Sequence, residues 1–265
     1  MSIAGLDPSG GAGIAADLKT FFAHRCYGAA VVTSVTFQNT QGVFGAEHQS
    51  AESVRRQAAA VFEDLPVKAV KTGMLPTIEV IEAVAELLVE YPSEIVVDPV
   101  VRSTSGFDLI DDDALRALII TLFPLAGIVT PNLAEAERIV GREIVAEEDY
   151  RRAASEILEM GAGYVLIKGG HQKGDENKNK ATDRLFGPDE MVVFEEDYIE
   201  TTSTHGSGCT LSSAIAANLA NGVSLEKSVK AAKSYVTKGI RNSEGYGKGN
   251  SPLNHWAGLK SSGER

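Results

Sequence analysis

Cysteine and long apolar runs are both scarce in this sequence. Among its 265 residues only Cys26 and Cys209 are cysteines, and two thiols so far apart form neither a disulfide framework nor a zinc-binding set. No apolar run approaches the ~18 residues that a membrane helix needs, and the first residues lack the apolar segment of a signal peptide. We therefore expect a protein of the reducing cytoplasm that has no membrane partner.

Basic residues are also fewer than acidic ones. Asp and Glu number 36 against 25 Lys and Arg, which gives a formal net charge of −11, and no basic run has the pattern of a nucleic-acid-binding surface. The phosphate-binding motif G-x-x-x-x-G-K-[ST] is absent as well. We expect no nucleic acid as a partner, and any nucleotide must be bound by a different kind of loop.

Short apolar runs alternate with amphipathic stretches along the chain. The runs are apolar on both faces, as in strands covered by helices on each side, and they comprise 29–36, 69–71, 94–97, 127–129 and 164–168. The amphipathic stretches predict helices at 51–63, 77–89, 111–122, 133–140, 147–160 and 211–221. This alternation predicts an α/β fold with a mainly parallel central sheet and helices on both faces. Residues 191–200 predict an edge strand, and the charged segment 172–181 predicts a mobile loop or a small flap.

Polar and glycine-rich segments follow the predicted strands. They comprise 5–13, 38–40, 72–74, 98–100, 130–132 and 168–171. Ligands bind at the carboxyl ends of the strands in an open α/β sheet. Any one of these segments could be an ordinary turn, but Gln38, Glu135 and Lys168 are groups that a turn does not require. The sequence therefore predicts a ligand site at this edge of the sheet.

The segment 204–210, Thr-His-Gly-Ser-Gly-Cys-Thr, comes directly before a stretch of small residues. Two glycines allow a tight turn that exposes consecutive N–H groups, and a helix N-terminus adds unpaired donors and a positive dipole end. The pattern predicts a binding loop for a phosphate or a developing oxyanion. Cys209 falls in the first helical turn, where a lowered thiol pKa is expected. An ordinary glycine turn before a core cysteine would have the same pattern.

Two other enzyme classes share parts of these patterns. Residues 11–16 fit the dinucleotide-binding fingerprint G-x-G-x-x-A, but the second strand ends at Gln38 and lacks the acidic residue that a dehydrogenase needs there. His205 lies four positions before Cys209, as in a Cys/His pair for acyl transfer. One tight turn would carry both residues, and no third residue is identifiable that would orient the histidine. Both interpretations stay open at this point.

Three further polar residues have two interpretations each. With Asn132, Glu135 begins a predicted helix, where it is either a cap or a group that positions a hydrated Mg²⁺ on nucleotide phosphates. Lys168 ends an apolar strand, so it pairs either with a phosphate or with a neighbouring carboxylate. Asp98 precedes a proline at another strand end and is either a group that supports the magnesium site from behind its ligands or a cap.

Eight ordered blocks resemble the hydroxymethylpyrimidine/phosphomethylpyrimidine kinases of thiamine biosynthesis, a branch of the ribokinase-like superfamily. The blocks are 3–14, 17–20, 38–40, 71–75, 98–100, 130–132, 168–171 and 205–210. The resemblance implies a ribokinase-like fold, with a single kinase domain over 1–258 and a disordered tail over 259–265. It also implies ATP-dependent phosphorylation of 4-amino-5-hydroxymethyl-2-methylpyrimidine to the monophosphate and then to the diphosphate.

The resemblance assigns roles to the residues that match the family's motifs. Those that would bind the pyrimidine are Gln38, Gly5, Asp7, Gly11 and Met74, and those that would bind ATP are Asn132, Lys168, Thr204, Gly206 and Gly208. Glu135 and Asp98 would serve Mg²⁺. The residues implied in catalysis are Cys209, Gly206, Ser207, Gly208 and Lys168. Cys209 occupies the position of the superfamily's usual aspartate base and would accept or orient the proton of the substrate hydroxyl.

The resemblance leaves part of the function open. Pyridoxal or pyridoxine kinase activity is the main alternative, since this branch of the superfamily includes enzymes that act on that similar ring alcohol. A non-enzymatic pyrimidine-binding protein would keep Gln38 but would tolerate the loss of Glu135 and Lys168. The family also implies a homodimer.

Overall fold

One nine-stranded sheet runs through the described part of the chain, which in this computed structural model is 1–102, 106, 108–169, 179–188 and 190–258. The strands are β1 Ser2–Leu6, β2 Ala30–Asn39, β3 Gly42–His48, β4 Ala69–Thr72, β5 Glu94–Val97, β6 Ile128–Val129, β7 Val165–Lys168, β8 Lys180–Phe186 and β9 Met191–Asp197. Their order across the sheet is β3-β2-β1-β4-β5-β6-β7-β8-β9. The pairs from β2 to β7 are parallel, and those that add β3, β8 and β9 are antiparallel.

Helices cover both faces of this sheet. They are α1 Gly13–Ala23, α2 Ala51–Phe62, α3 Ile78–Glu90, α4 Asp112–Leu122, α5 Leu133–Val140, α6 Glu147–Glu159, α7 Ser207–Ala220 and α8 Leu225–Arg241, with short 3₁₀ helices at Phe123–Leu125 and His255–Gly258. Local capping sets several of the starting points. The side chain at the N-cap accepts a hydrogen bond from the backbone N–H three residues on at Ser50, Thr77, Asp111 and Asn132. None of the helices in the described residues is both long and apolar enough to cross a membrane.

Alternate residues of the central strands enter two separate cores. In β5, Ile95 and Val97 join the cluster formed with α2 to α6, whereas Val96 joins the cluster formed with α1, α7 and α8. Successive side chains of a strand point to opposite faces, so a strand buried on both sides consists of apolar residues throughout. This is why the central strands are continuous apolar runs in the sequence.

The fold class expected from the sequence is confirmed, with corrections in detail. β9 lies at the sheet edge, as 191–200 predicted. Helix α7 begins at Ser207 and not at 211, so the glycine-rich segment is part of its first turn. Gln38 lies inside β2, paired with β3, and not in a loop after a strand. Most of the predicted flap, 172–181, and the predicted tail, 259–265, lie outside the described residues, although Lys180 and Ala181 begin β8.

Candidate active site

A cavity of about 720 Å³ opens at the carboxyl ends of the parallel strands, the edge predicted from the sequence. It brings together residues from all three thirds of the chain. The predicted site residues that line it are Gly5, Asp7, Gln38, Met74, Asp98, Asn132, Glu135, Lys168, Thr204, Gly206, Ser207, Gly208 and Cys209. Gly11 does not line the cavity; a Cβ built on it would lie 2.3 Å from Cδ2 of His205.

The N-terminus of α7 faces this cavity. Gly206 caps the helix in the left-handed region, with φ 77°, and a Cβ there would lie 1.9 Å from the carbonyl oxygen of Gly11. Only glycine fits both constraints. The first N–H groups of a helix have no intrahelical acceptor, but here Ser207 donates its N–H to the Thr204 carbonyl at 3.1 Å. The N–H groups of Gly208 and Cys209 are therefore the donors that remain for a bound anion.

The structure corrects the expected pKa of Cys209. Its thiol is in the first turn of α7, as predicted, yet withdrawal from solvent raises its pKa to about 11. The ammonium group of Lys71 and the backbone N–H of Gly13 oppose the rise without cancelling it. Desolvation penalises the thiolate by more than the helix N-terminus favours it, so the resting thiol is protonated at neutral pH.

Lys168 pairs with two buried carboxylates. Its Nζ lies 3.1 Å from Oδ1 of Asp98 and 3.9 Å from Oε2 of Glu135. Burial alone would lower the pKa of Lys168, but these two carboxylates outweigh it and raise the pKa. A Cβ on Gly208 would lie 3.3 Å from the same Nζ. The ammonium group therefore lies beside the first turn of α7, where it faces carboxylates on one side and the anion-binding donors on the other.

The pKa values of Asp98 and Glu135 are shifted in opposite directions. Burial favours the neutral form of Asp98, but the charges of Lys168 and Lys71 outweigh it and lower its pKa. Burial raises the pKa of Glu135 to about 7 despite the nearby Lys168. Glu135 also forms a capping box with Asn132, in which the carboxylate accepts the Asn132 N–H at 2.7 Å. The backbone N–H of Val101 also donates a hydrogen bond to this carboxylate.

The donor set fits a magnesium ion held mainly by water and phosphate. Among the described residues no group of three or more His, Cys, Asp or Glu side chains could hold a metal ion. Mg²⁺ commonly binds through one or two carboxylates while it keeps several waters and contacts substrate phosphates. Glu135 and Asp98 together supply that number of carboxylates.

The opposite end of the cavity combines an amide with an apolar side chain. Gln38 is half-buried on β2, and Met74 follows β4 with 7% of its surface exposed. A Cβ on Gly5 would lie 3.1 Å from Sδ of Met74, so the absence of a side chain at Gly5 leaves room for the Met74 side chain. Asp7 lines the cavity, but its carboxylate accepts hydrogen bonds from Ser9 and from the N–H of Ala12.

Sequence reasoning missed two buried ion pairs beside the cavity. Lys71 on β4 lies 3.0 Å from Asp17 on α1, and neither side chain has any exposed surface. Lys233 on α8 lies 2.7 Å from Asp183 on β8. The signal for the first pair was available, since a lysine in a strand that is expected to be covered on both faces needs a buried anion. The second pair involves residues from a helix and a strand that the sequence had not predicted.

Comparison with known proteins agrees with this geometry. Residues 7–254 match the profile of the phosphomethylpyrimidine kinase family. The chain belongs to this family. The resemblance stated from the sequence is thereby confirmed, and so is the enzyme class: the chain is a phosphotransferase, and the kinase family implies the use of ATP.

Individual relatives and solved structures are similar to this chain over nearly their whole length. A hydroxymethylpyrimidine/phosphomethylpyrimidine kinase of Rhizobium meliloti is 50% identical over 259 residues, which cover 97% of this chain and 96% of the relative. The crystal structure of the phosphomethylpyrimidine kinase from Clostridium difficile superposes with a TM-score of 0.79 at 44% identity, covering 90% of this chain and 97% of the other. Pyridoxal kinase from Staphylococcus aureus in complex with AMP-PCP and pyridoxal has a TM-score of 0.87 at 32% identity, covering 97% and 92%.

Proposed function

We propose that this enzyme phosphorylates the hydroxymethyl group of 4-amino-5-hydroxymethyl-2-methylpyrimidine and then phosphorylates the monophosphate to the diphosphate, in thiamine biosynthesis. One observation carries the proposal. A single cavity joins the Gln38 amide and Met74 to the N-terminus of α7 and to Lys168. The relative from Rhizobium meliloti is named for both pyrimidine substrates.

The amide end of the cavity suits the pyrimidine ring. A carboxamide offers one donor and one acceptor, which match the amino group and the adjacent ring nitrogen of the substrate. Met74 packs on the ring face, because a thioether adapts to a flat apolar surface. These contacts would point the hydroxymethyl group toward α7.

The other end of the cavity stabilises negative charge. The N–H groups of Gly208 and Cys209 and the ammonium of Lys168 would contact the phosphoryl group as it is transferred. Glu135 and Asp98 would hold Mg²⁺ on the nucleotide phosphates, and the ion would neutralise part of their charge. Because phosphoryl transfer depends mainly on positioning and electrostatics, these groups supply most of the catalysis.

Cys209 assists with the proton of the substrate hydroxyl. Its thiol is protonated at rest, so it first orients the hydroxyl through a hydrogen bond. In a loose transition state the hydroxyl proton leaves late, which reduces the need for a strong base. The protonated thiol has no site for this proton, which passes to an oxygen of the transferred phosphoryl group. Replacement by alanine should lower kcat by about 10²-fold. A near-wild-type kcat for Cys209→Ala would mean that the backbone N–H groups work alone.

A coupled assay of ADP release tests the substrate. The panel is hydroxymethylpyrimidine, its monophosphate, pyridoxal and ribose, each with Mg²⁺ and ATP. We expect turnover of both pyrimidines, with the highest kcat/KM on one of the two. Absence of turnover with every member of the panel would refute the kinase assignment, and turnover of ribose alone would refute the substrate assignment.

Pyridoxal is the second candidate substrate. The similarity to the pyridoxal kinase from Staphylococcus aureus supports it, with a TM-score of 0.87. A kcat/KM for pyridoxal above that for both pyrimidines would make this the principal activity.

Location and assembly belong to the same proposal. We propose a cytoplasmic homodimer, organised as one kinase domain over 1–258, that has no nucleic-acid or membrane partner. Analytical ultracentrifugation at micromolar concentration tests the dimer, and a single monomer peak would exclude it at that concentration.

A further inference from the structure

We propose that Thr40 is a positioning residue for phosphoryl transfer, because it anchors a segment that links the pyrimidine end of the cavity to the N-terminus of α7. This segment comprises 247–252, and we call it the strap. The inference rests on the proposed function, since it takes Gln38 as the residue that contacts the ring and the first turn of α7 as the place of transfer. Thr40 itself does not line the cavity.

Three backbone N–H groups of the strap bond to Thr40, which lies in the turn between β2 and β3. Lys248 and Gly249 donate their N–H groups to Oγ1 of Thr40 at 3.2 and 3.3 Å, and Asn250 donates its N–H to the Thr40 carbonyl oxygen at 2.7 Å. A hydroxyl oxygen has two lone pairs, so Oγ1 can accept both bonds. Gln38 precedes Thr40 by two residues. The strap is therefore attached close to the residue that would contact the ring.

Two glycines of the strap permit this close approach. A Cβ on Gly247 would lie 2.3 Å from Oγ1 of Thr40, and one on Gly249 would lie 2.1 Å from the Thr40 carbonyl oxygen. Gly247 also has a φ of 85°, in the left-handed region. Gly245, just before the strap, has a φ of 72° but no atom within 4 Å of a new Cβ. Contact with Thr40 therefore requires glycine at 247 and 249 but not at 245.

The other end of the strap holds the residue before the N-cap of α7. His205 donates its N–H to the Ser251 carbonyl at 3.2 Å and pairs with Pro252 in a parallel bridge. Gly206, the next residue, caps α7. Gly11 leaves room for this contact, since a Cβ there would lie 2.3 Å from Cδ2 of His205 and 3.2 Å from Cβ of Pro252. The strap therefore connects the β2–β3 turn to the start of the helix that faces the phosphates.

The two ends of the strap differ in how firmly they are held. At the Pro252 end, Oγ of Ser243 donates to the Pro252 carbonyl and the N–H of Asn254 donates to the Gly239 carbonyl, both at 2.9 Å, so this end is fixed to α8. At the Thr40 end, 247 and 248 are exposed and 249 and 250 are half-buried. A segment with few buried apolar contacts opens locally without global unfolding. The bonds to Thr40 are therefore what orders this end of the strap.

This connection matters because the two reactants are bound at different ends of the cavity. Gln38 would set the position of the ring, and the first turn of α7 would set that of the phosphoryl group. A misplacement of about 1 Å between reacting groups can lower a rate by about 10²-fold. Loss of the Thr40 bonds would leave each binding surface intact while the two surfaces shift relative to one another. The rate of transfer should therefore fall more than the affinity for either substrate.

Rapid-quench kinetics of two Thr40 variants test this role. Thr40→Val removes the hydroxyl acceptor, and Thr40→Ser keeps it. In Thr40→Val we expect the single-turnover rate of phosphoryl transfer to hydroxymethylpyrimidine to fall by about tenfold, with KM for the pyrimidine and for MgATP within about twofold of wild type. The rate in Thr40→Ser should stay within about threefold of wild type. An unchanged rate in Thr40→Val, an equal fall in both variants, or a loss confined to KM would overturn the proposal.

The glycines offer an independent pair of variants. Gly247→Ala directs a Cβ against Oγ1 of Thr40, whereas Gly245→Ala directs one into open space. Both replacements carry the conformational cost of a positive φ, so they differ mainly in the contact with Thr40. We expect the rate of transfer to fall by about tenfold in Gly247→Ala and to match wild type in Gly245→Ala. This pair also decides the question if Thr40→Val does not fold, as thermal unfolding would show. Equal rates in the two glycine variants would contradict the role of the strap.

Hydrogen exchange without substrate separates this inference from the proposed function. In ¹⁵N-labelled protein we expect the His205 amide to exchange about tenfold faster in Thr40→Val than in wild type, and at the wild-type rate in Thr40→Ser. The control is the Gly127 amide, which donates to the Ile95 carbonyl at 3.0 Å elsewhere in the sheet and should exchange equally in all three proteins.

Two results of this measurement would overturn the inference. One is an unchanged His205 exchange rate in Thr40→Val, since Thr40 would then not act on the start of α7. The other is an equal acceleration at Gly127, which would show general destabilisation. Failure of the wild type to turn over any pyrimidine would refute the proposed function while leaving this test of the strap valid.

Discussion

The Cys209 thiol stands at a helix N-terminus and is nevertheless protonated at neutral pH. Its pKa of about 11 reflects burial, which outweighs the nearby ammonium of Lys71. We expect alkylation of Cys209 by iodoacetamide in the ligand-free enzyme to accelerate about tenfold per pH unit from pH 7 to pH 10, because only the thiolate reacts. Mass spectrometry separates its peptide from that of Cys26. A rate that levels off near neutral pH would show a resting thiolate.

Glu135 titrates in the physiological range. Burial raises its pKa to about 7 from the model-compound value of 4.5, and only the ionised form is a magnesium ligand. We expect kcat/KM for MgATP to rise with pH up to about 7, and Glu135→Gln to lack this rise while losing activity at all pH values. The exposed Glu148 supplies the control, because Glu148→Gln should leave the pH profile unchanged.

The same shift gives a stability prediction of definite sign. A carboxyl whose pKa is raised in the folded state binds more protons when folded, so its contribution to the free energy of unfolding is greatest below pH 4.5 and is lost as the pH rises to about 7. Glu135→Gln should therefore gain stability relative to wild type between pH 5 and pH 8. Urea unfolding of both proteins at pH 5 and at pH 8 measures this gain. If the variant and the wild type differed in free energy of unfolding by the same amount at the two pH values, the raised pKa of Glu135 would be contradicted.

At the scale of elements, the start of α7 depends on one glycine. Gly206→Ala would place a Cβ against the carbonyl oxygen of Gly11 in a left-handed conformation. We expect kcat to fall by at least about 10²-fold, since the N–H donors of the first turn would be displaced. Gly222→Ala is a matched control, because Gly222 has the same φ of 77° but no atom within 4 Å of the new Cβ. It should cost about 1–2 kcal/mol of stability and leave kcat unchanged. Equal kcat in both variants would refute the role of Gly206.

The elements predicted correctly share a physical feature. The central strands and the helices α2 to α6 bury apolar residues with a regular period, and several begin at a side-chain cap. The first turn of α7 has no such period, because Ser207, Gly208 and Thr210 are polar or small, and its helical start comes from the packing of Gly206 on Gly11. Strand β3 has no fully buried residue and contains two glycines. Tertiary pairing with β2 creates it, and the local sequence does not.

At the scale of the whole molecule, the residues that line the site could be predicted from the sequence, but the contacts between them could not. The rule that polar groups gather at the carboxyl ends of parallel strands located Gln38, Glu135 and Lys168. The strand order then decides which groups meet. Lys168 contacts Asp98, 70 residues away, because β6 places β7 close to β5. Burial, which reverses the expected shift of the Cys209 pKa, depends on α1 packing against α7 and could not be read from segment 204–210 alone.

The buried Asp17–Lys71 pair connects α1, β4 and α7 beneath the cavity. Asp17 also accepts hydrogen bonds from Ser2 at 2.5 Å and from Ser213 at 2.6 Å. We expect Lys71→Met to lower the free energy of unfolding by about 3–5 kcal/mol, because it leaves an uncompensated buried carboxylate. Adding Asp17→Asn should restore part of the loss, since the charge is then removed.

Urea unfolding of the single and double variants measures this coupling. Lys180→Met is the control, because Lys180 forms an exposed ion pair with Asp197, and surface pairs of this kind contribute little. We expect its unfolding midpoint to match that of wild type. If Lys71→Met and Lys180→Met unfolded at the same midpoint, the buried pair would not hold the three elements together, and the rigidity of the α7 N-terminus would have to come from packing alone.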